Sequence, residues 1–313
     1  MRLIIILMLC IVSCTAMPDQ TNKIFIHGHR GCRGLLPENT LPAFEHAMTL
    51  GVDALELDVV CTADHQLLIS HEPWMSHEKC TYHDGRCTPE MDTLTNIYNM
   101  TAKEAQQFIC GTMPMAKFPE QKQVKTYKPL LLELVELVND YSDSTGRKPP
   151  LLNIEIKSYF NRYADGTEKI GDGEYHPAPD AYADIAIAEI LNLGIEDNCI
   201  IQSFDPRVLR SIHSKRLSLK LVYLTDDKSI SLEEQLNLLG FEPYGLSPHF
   251  EMITEQVVEL CRQRKIELIT WTVNEKEDIA RIIRMGVKHI ITDYPDRAIE
   301  VRNDEKDCRI IAK

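Results

Sequence analysis

Seven side chains, spaced in pairs along short apolar runs, carry the chemistry this chain can do. His27 and His29 end one run, and Glu56 and Asp58 stand two apart in another. The run Leu67-Leu68-Ile69 ends at His71, and Leu151–Lys157 (LLNIEIK) carries Glu155 and Lys157. Residues two apart on a strand share a face, so each run reads as a buried strand delivering polar groups to one end of a sheet. Three carboxylates, a set of histidines and a basic group meeting there make a divalent-cation site acting on a phosphate ester.

Glu56, Asp58 and Glu155 are the candidate metal ligands. Hard oxygen donors suit one Mg²⁺ or Ca²⁺, and no thiol competes for it. An E-x-D pair alone also fits a structural ion pair at a strand end. Leu55, Leu57 and Val59 around it argue for a barrel interior, where carboxylates need a partner or a metal. His29 and His71 are the candidate acid–base pair, because imidazole titrates in the range that proton transfer to and from phosphodiester oxygens requires. His27 lies deeper on the face of His29, positioned to orient it or the phosphate. Arg30 and Lys157 are candidates for the phosphate oxygens, by bidentate fork and point charge, though either also fits a plain ion pair with the carboxylates. Gly28, Gly31 and Gly34 allow a turn tight enough to bring backbone amides near an anion. Trp271, at a strand end, offers an apolar wall for the alcohol group.

The elements that must position these groups alternate. Strands are expected at Lys23–Gly28, Ala54–Val60, Gln66–Ser70, Leu151–Lys157, Cys199–Phe204, Leu219–Leu224, Gly245–Ser247, Glu267–Val273 and His289–Thr292. Helices separate most of them. The first is capped by Asn39 or Thr40, carries Pro42 in its first turn and stops at Gly51. Such alternation implies a parallel sheet with helices outside, and polar residues at the C-terminal strand ends select an α/β (β/α)8 barrel. No G-x-G-x-x-G follows the first strand, which disfavours a doubly wound nucleotide fold. Nine strands compete for eight barrel positions; the weak strand at Gly245 and the short Cys61–His65 link are the suspects. From about Glu72 to Lys128 the periodicity fades apart from a helix expected at Thr101–Ile109, so this reads as an insertion after the third strand.

The chain has 313 residues and a net charge of −13. With no long basic stretch, a general nucleic-acid binder is excluded. Met1-Arg2 followed by the apolar Leu3–Val12 predicts a secretory signal over residues 1–13. Ile11-Val12-Ser13-Cys14 resembles a bacterial lipobox, so Cys14 is the expected lipid attachment point, with residues 14–22 as a tether. A plain signal cut after Ala16 is the alternative. This predicts an exported protein of the periplasm or outer membrane, with membrane contact through the anchor only. Residues 23–301 form the expected barrel and 302–313 a charged tail. Of ten cysteines, removing Cys10 and Cys14 leaves eight, and export makes disulfides plausible. Cys80 and Cys87 flank a Gly-containing loop and are the expected pair, while Cys61, Cys199 and Cys261 read as small buried hydrophobes.

Taken in order, His29-Arg30-Gly31 with Pro37-Glu38-Asn39-Thr40, Glu56-Leu57-Asp58-Val59, Ser70-His71-Glu72, Glu155-Ile156-Lys157, Ser203-Phe204, Trp271-Thr272-Val273-Asn274 and Thr292-Asp293-Tyr294-Pro295 resemble the motif series of glycerophosphodiester phosphodiesterases. The resemblance spans about Ile26 to Pro295; Glu72 stands where many members carry Asp. It implies a TIM barrel that uses Ca²⁺ or Mg²⁺ held by Glu56, Asp58 and Glu155, with His29 and His71 as general base and acid. The implied substrate is a small glycerophosphodiester, cleaved to glycerol 3-phosphate and an alcohol through a cyclic phosphate formed by the neighbouring glycerol hydroxyl. A phospholipase D-like or phosphoinositide-cleaving enzyme on the same barrel, and a binding protein without catalysis, are the competing readings.

Overall fold

The computed structural model describes residues 23–162, 168–215 and 218–311. The expected signal, Cys14 and tether lie outside them. The chain starts with β1 (Phe25–Gly28), α1 (Leu41–Leu50), β2 (Ala54–Cys61) and β3 (Leu67–Ile69). A long connection follows, containing β4 (Cys80–Thr81), α2 (Met91–Leu94), α3 (Ala102–Ala105) and β5 (Ile109–Cys110). It leads to α4 (Leu131–Thr145), β6 (Leu151–Ile156), the hairpin strands β7 (Phe160–Arg162) and β8 (Glu168–Ile170), and α5 (Pro179–Leu193). Regular alternation then runs β9 (Cys199–Ser203), α6 (Pro206–Ser214), β10 (Lys220–Thr225), α7 (Leu232–Leu239), β11 (Gly245–Pro248), α8 (Glu255–Arg264), β12 (Glu267–Thr270), α9 (Lys276–Arg284), β13 (His289–Thr292) and α10 (Pro295–Ile311). The last helix continues through most of the stretch expected as a tail.

Eight parallel strands close a barrel in the order β1-β13-β12-β11-β10-β9-β6-β2, with β2 pairing back onto β1. The ninth is β3, which pairs antiparallel with β2 (Val59 opposite Ile69) and stands outside the ring. A link of five residues cannot carry the crossover that a parallel neighbour needs, so the chain folds back as a hairpin. The weak strand at Gly245 is genuine. Gly245 earns its place by closeness, since a Cβ there would sit 3.0 Å from the Glu267 carbonyl oxygen on the next strand.

Two buried apolar clusters lie between the barrel and its helices, one around Phe44, Leu57, Leu134 and Tyr182, the other around Ile26, Leu246, Ile279 and Ile290. Inside the barrel, Ile200, Val222, Ile269 and Ile291 form a layer of their own. The connection after β3 also has its own core, built on Leu68, Met75, Met91, Ile97 and Cys110. Its expected helix at Thr101–Ile109 is only one turn, Ala102–Ala105, opened by a Thr101–Glu104 capping box. The chain then extends into β5, which pairs with β4.

That pairing corrects the expected disulfide. Cys80 bonds Cys110, directly across the β4–β5 ladder, and Cys87 is a free thiol that donates to the His77 carbonyl. The Cys80–Cys87 stretch folds as a turn, with Tyr82 N–H donating to Arg86 O. Cys61, Cys199 and Cys261 are buried free thiols, as their surroundings suggested. Peptide mapping under non-reducing conditions is expected to recover a Cys80–Cys110 linked fragment. Reduction should cost about 3–4 kcal/mol for a loop of this length, seen as a lower denaturant midpoint; an unchanged midpoint would refute the crosslink.

Candidate active site at the C-terminal mouth of the barrel

The register of β2 against β6 builds the acidic cluster. Asp58 lies beside Glu155, and Glu56 lies one inward-facing step deeper on the same strand. All three are buried, and one oxygen from each lies within 4.8 Å of the others. Burial and the charges of Asp58 and Glu155 push Glu56 well above the usual carboxylate range. Burial, partly opposed by Lys157, pushes Glu155 up to about 7, with Asp58 adding to the shift. Burial would raise Asp58 too, but Arg30, His71, Lys157 and an Asn39 hydrogen bond outweigh it and hold it well below its ordinary value. Asp58 Oδ1 is buried without a hydrogen-bond partner. Three repelling carboxylates with an unpartnered oxygen fit a divalent cation, the charge and donor type they lack.

His29, just past β1, turns Nδ1 to Asp293 Oδ1 at 2.6 Å, while its Nε2 lies 3.8 Å from Glu56. Burial, with Arg33 adding a positive charge, outweighs Asp293 and lowers this imidazole to about 4. His71, just past β3, turns Nδ1 to Glu72 Oε1 at 2.9 Å. Burial among the pocket walls, then the Lys157 and Arg30 charges, lower it to about 4 as well. Its side chain is 34% exposed, and that edge opens onto the pocket. In both rings the carboxylate accepts a hydrogen bond from Nδ1–H, which leaves Nε2 for a substrate.

Arg30 and Lys157 line the same cavity of about 410 Å³ as the two histidines, Glu56, Glu155 and Trp271. Arg30 sits at positive φ (49°). Its N–H donates to Glu56 Oε2 at 2.9 Å, and its guanidinium reaches Glu38 at 2.9 Å and Asp58 at 3.1 Å. Lys157 donates to Glu155 at 2.7 Å and lies 3.8 Å from Asp58. The ion-pair and pocket-facing readings of these two residues therefore both hold. Trp271 donates its indole N–H to Ser247 O and stands edge-on to Phe204 at 5.3 Å, forming an apolar wall.

Two expectations are revised. His27 does not reach His29 or the pocket; its Nε2 faces His289 Nδ1 at 3.0 Å, with Asn153 at 3.4 Å, inside the barrel. The glycines allow the tight turn, but the Gly31 and Gly34 amides are taken within the protein, Gly31 N–H donating to Gly28 O at 3.2 Å and Gly34 N–H to Asp293 O at 2.9 Å. At Gly31 (φ 85°) a Cβ would strike Ala43 of α1, and at Gly34 it would enter the Tyr294 ring.

Several residues to which the sequence reading gave no such role support the site. Asn39, expected as a helix cap, instead donates to Asp58 Oδ2 at 2.8 Å. Gln202 donates to Glu56 Oε1 at 3.0 Å. Asp293 holds both His29 and Arg33, and is itself held by Asn274. All three are buried polar residues, Gln202 and Asp293 at the ends of the apolar runs of β9 and β13 and Asn39 in the loop before α1, and a polar residue ending an apolar run is the signal that marks the first two.

The sequence pattern of the glycerophosphoryl diester phosphodiesterase family matches residues 29–297. The chain belongs to that family. A glycerophosphodiester phosphodiesterase of Caldanaerobacter subterraneus subsp. tengcongensis is 31% identical over 280 residues, covering 89% of this chain and 98% of that protein. Among solved structures, a glycerophosphoryl diester phosphodiesterase candidate from Silicibacter pomeroyi DSS-3 superposes with a TM-score of 0.77 at 26% identity, covering 91% of this chain and 95% of that one. An Oleispira antarctica phosphodiesterase, solved with the product sn-glycerol-3-phosphate, shares the fold with a TM-score of 0.65 at 20% identity over 89% of this chain and 96% of its own. Family membership makes the protein a phosphodiesterase and its barrel the family's barrel.

Proposed function

We propose that this phosphodiesterase hydrolyses glycerophosphodiesters to sn-glycerol 3-phosphate and an alcohol, in a cation-dependent reaction with His29 as base and His71 as acid. The observation that carries this reading is the meeting of Glu56, Asp58 and Glu155 within 4.8 Å, beside a cavity that Glu56, Glu155 and both histidines line. A divalent cation held by those carboxylates would supply Lewis-acid polarisation of the phosphoryl group. Arg30 and Lys157 bind the phosphate oxygens. The neutral Nε2 of His29 takes the proton of the neighbouring glycerol hydroxyl as its oxygen bonds phosphorus. The imidazolium of His71 gives its Nε2 proton to the departing alcohol oxygen as the P–O bond breaks. Burial and, after it, the Lys157 and Arg30 charges keep His71 neutral; a phosphodiester anion offsets those two charges, so substrate binding favours the charged acid. Hydrolysis of the cyclic phosphate then runs the two proton transfers in reverse.

The test is turnover of glycerophosphocholine and glycerophosphoethanolamine with Mg²⁺ or Ca²⁺, with product analysis. Glycerol 3-phosphate and the free alcohol are expected. Cleavage of intact phospholipid in preference to these headgroup esters would favour the phospholipase D-like reading, and binding without turnover would reject catalysis. Export with attachment through Cys14 belongs to the same proposal. The Cys80–Cys110 disulfide supports it, because such bonds persist in oxidising compartments.

A further inference from the structure

The long connection after β3 contributes one charged side chain to the middle of the site's chain of ion pairs and hydrogen bonds. Lys79, 14% exposed, immediately precedes β4. Its Nζ donates to Glu72 Oε1 at 2.5 Å and to Glu38 Oε1 at 2.7 Å. Glu72 Oε1 is the atom that meets His71 Nδ1. Glu38 Oε1 is the atom that accepts from Arg30, which in turn reaches Asp58. An unbroken series Asp58–Arg30–Glu38–Lys79–Glu72–His71 therefore runs from the acidic cluster to one histidine, and Lys79 is its only member from the β4–β5 unit.

We propose that Lys79 is a positioning residue for His71: it fixes the Glu72 carboxylate so that His71 keeps its proton on Nδ1 and presents Nε2 to the departing alcohol. The two carboxylates depend on Lys79 unequally. Glu38 also has Arg30 and Arg33. The Glu72 carboxylate, among the described residues, bonds only His71 and Lys79, and its second oxygen is buried without a partner. The nearby cation Lys128 is directed elsewhere, donating to Ser70 Oγ at 2.7 Å. Without Lys79, Glu72 is free to turn away from His71 toward water, and the imidazole loses both its tautomer and its counter-charge. The backbone holds Lys79 in place from both sides. Cys80 is crosslinked to Cys110, and the Lys79 carbonyl accepts from Gly111 N–H at 3.2 Å. The β4–β5 ladder thus serves as a clamp that delivers one ammonium group to Glu72.

The inference rests on His71 acting as the acid in the proposed function, and leaving-group dependence tests it. An alkoxide such as that of choline needs a proton to depart, whereas 4-nitrophenolate does not. Lys79→Met is expected to slow alcohol release from glycerophosphocholine, measured in a single turnover so that the later hydrolysis of the cyclic phosphate does not enter, by about tenfold to a hundredfold. On the 4-nitrophenyl ester of glycerol phosphate the single-turnover release of 4-nitrophenolate should stay within about threefold of the parent, with the substrate concentration giving half the maximal rate little changed for both. Lys79→Arg should restore most of the loss. Lys79→Gln gives a second route should the methionine variant fold poorly, and the cation-induced rise in thermal stability checks that the site is intact. His71→Ala is the reference and should show the same contrast, more steeply. Equal losses on both substrates in the Lys79 variants, or none on either, while His71→Ala keeps its contrast, would overturn the role of Lys79 alone. A His71→Ala variant impaired equally on both substrates would overturn the acid assignment and, with it, this inference.

Discussion

Alanine at His29 or at His71 is expected to lower kcat by about two to four powers of ten, with the protein still folded. The fold should tolerate both changes because each partner carboxylate keeps a cation. Asp293 retains Arg33 at 2.9 Å and the Asn274 amide, and Glu72 retains Lys79. Neither histidine packs in the apolar clusters that hold helices to barrel. The pH dependence separates the two roles. His29 is lowered to about 4, chiefly by burial, so its base form is present throughout the neutral range. With the cation kept saturating at each pH, activity should fall on the acid side through His29 only as the pH approaches that value, and this component should vanish in His29→Ala. His71 must be charged to act, so it sets an alkaline limb in kcat, which should vanish in His71→Ala. Circular dichroism matching the parent, with kcat within threefold of it, would remove the substituted residue from the mechanism.

The barrel was legible because its strands are short apolar runs that end in polar residues, and because Gly51 and Pro42 punctuate the first helix as expected. Its closure was less so. Whether β3 joins the ring depends on the length of one link, not on the composition of the strand. The acidic cluster was legible for the same reason as the strands: Glu56, Asp58 and Glu155 interrupt buried runs at a period of two. Asn39 was misread because the sequence around it also spells a helix start. Its side chain has two competing partners, the helix amides and Asp58, and only the approach of β2 decides between them. His27 was expected deeper on the face of His29, and what escaped the reading was its partner, because His289 is 262 residues away. Lys79 carried no signal at all. It lies in a stretch without periodicity, and its importance arises from a disulfide whose second half, Cys110, is 30 residues downstream.

Removing divalent cations should abolish turnover, by at least about two powers of ten, and lower stability in a pH-dependent way. The pH dependence follows from the acidic cluster. Glu155 is raised to about 7 and Glu56 well above its ordinary value, burial being the first cause in both. A carboxyl raised on folding binds its proton more tightly in the native state than in the unfolded chain. The stability it contributes is fully present below the unfolded value, about 4.3, and is lost as the pH rises toward about 7 for Glu155. The cation-free protein should therefore lose stability between about pH 4 and pH 7 from this group. A cation binds the ionised carboxylates, so it must displace those protons, and its affinity rises across the same range. At a hundredfold excess over its Kd it adds about 2.7 kcal/mol. The rise in Tm on adding Ca²⁺ or Mg²⁺ should be small at pH 5 and large at pH 8. Glu155→Gln should remove most of that rise and the activity together, because one of three oxygen donors is replaced by a neutral amide. Calorimetric scans with and without chelator at the two pH values measure this directly. A chelated enzyme that turns over at the parent rate, or a Tm that ignores the cation at pH 8, would mean that the three carboxylates meet for some purpose other than holding an ion.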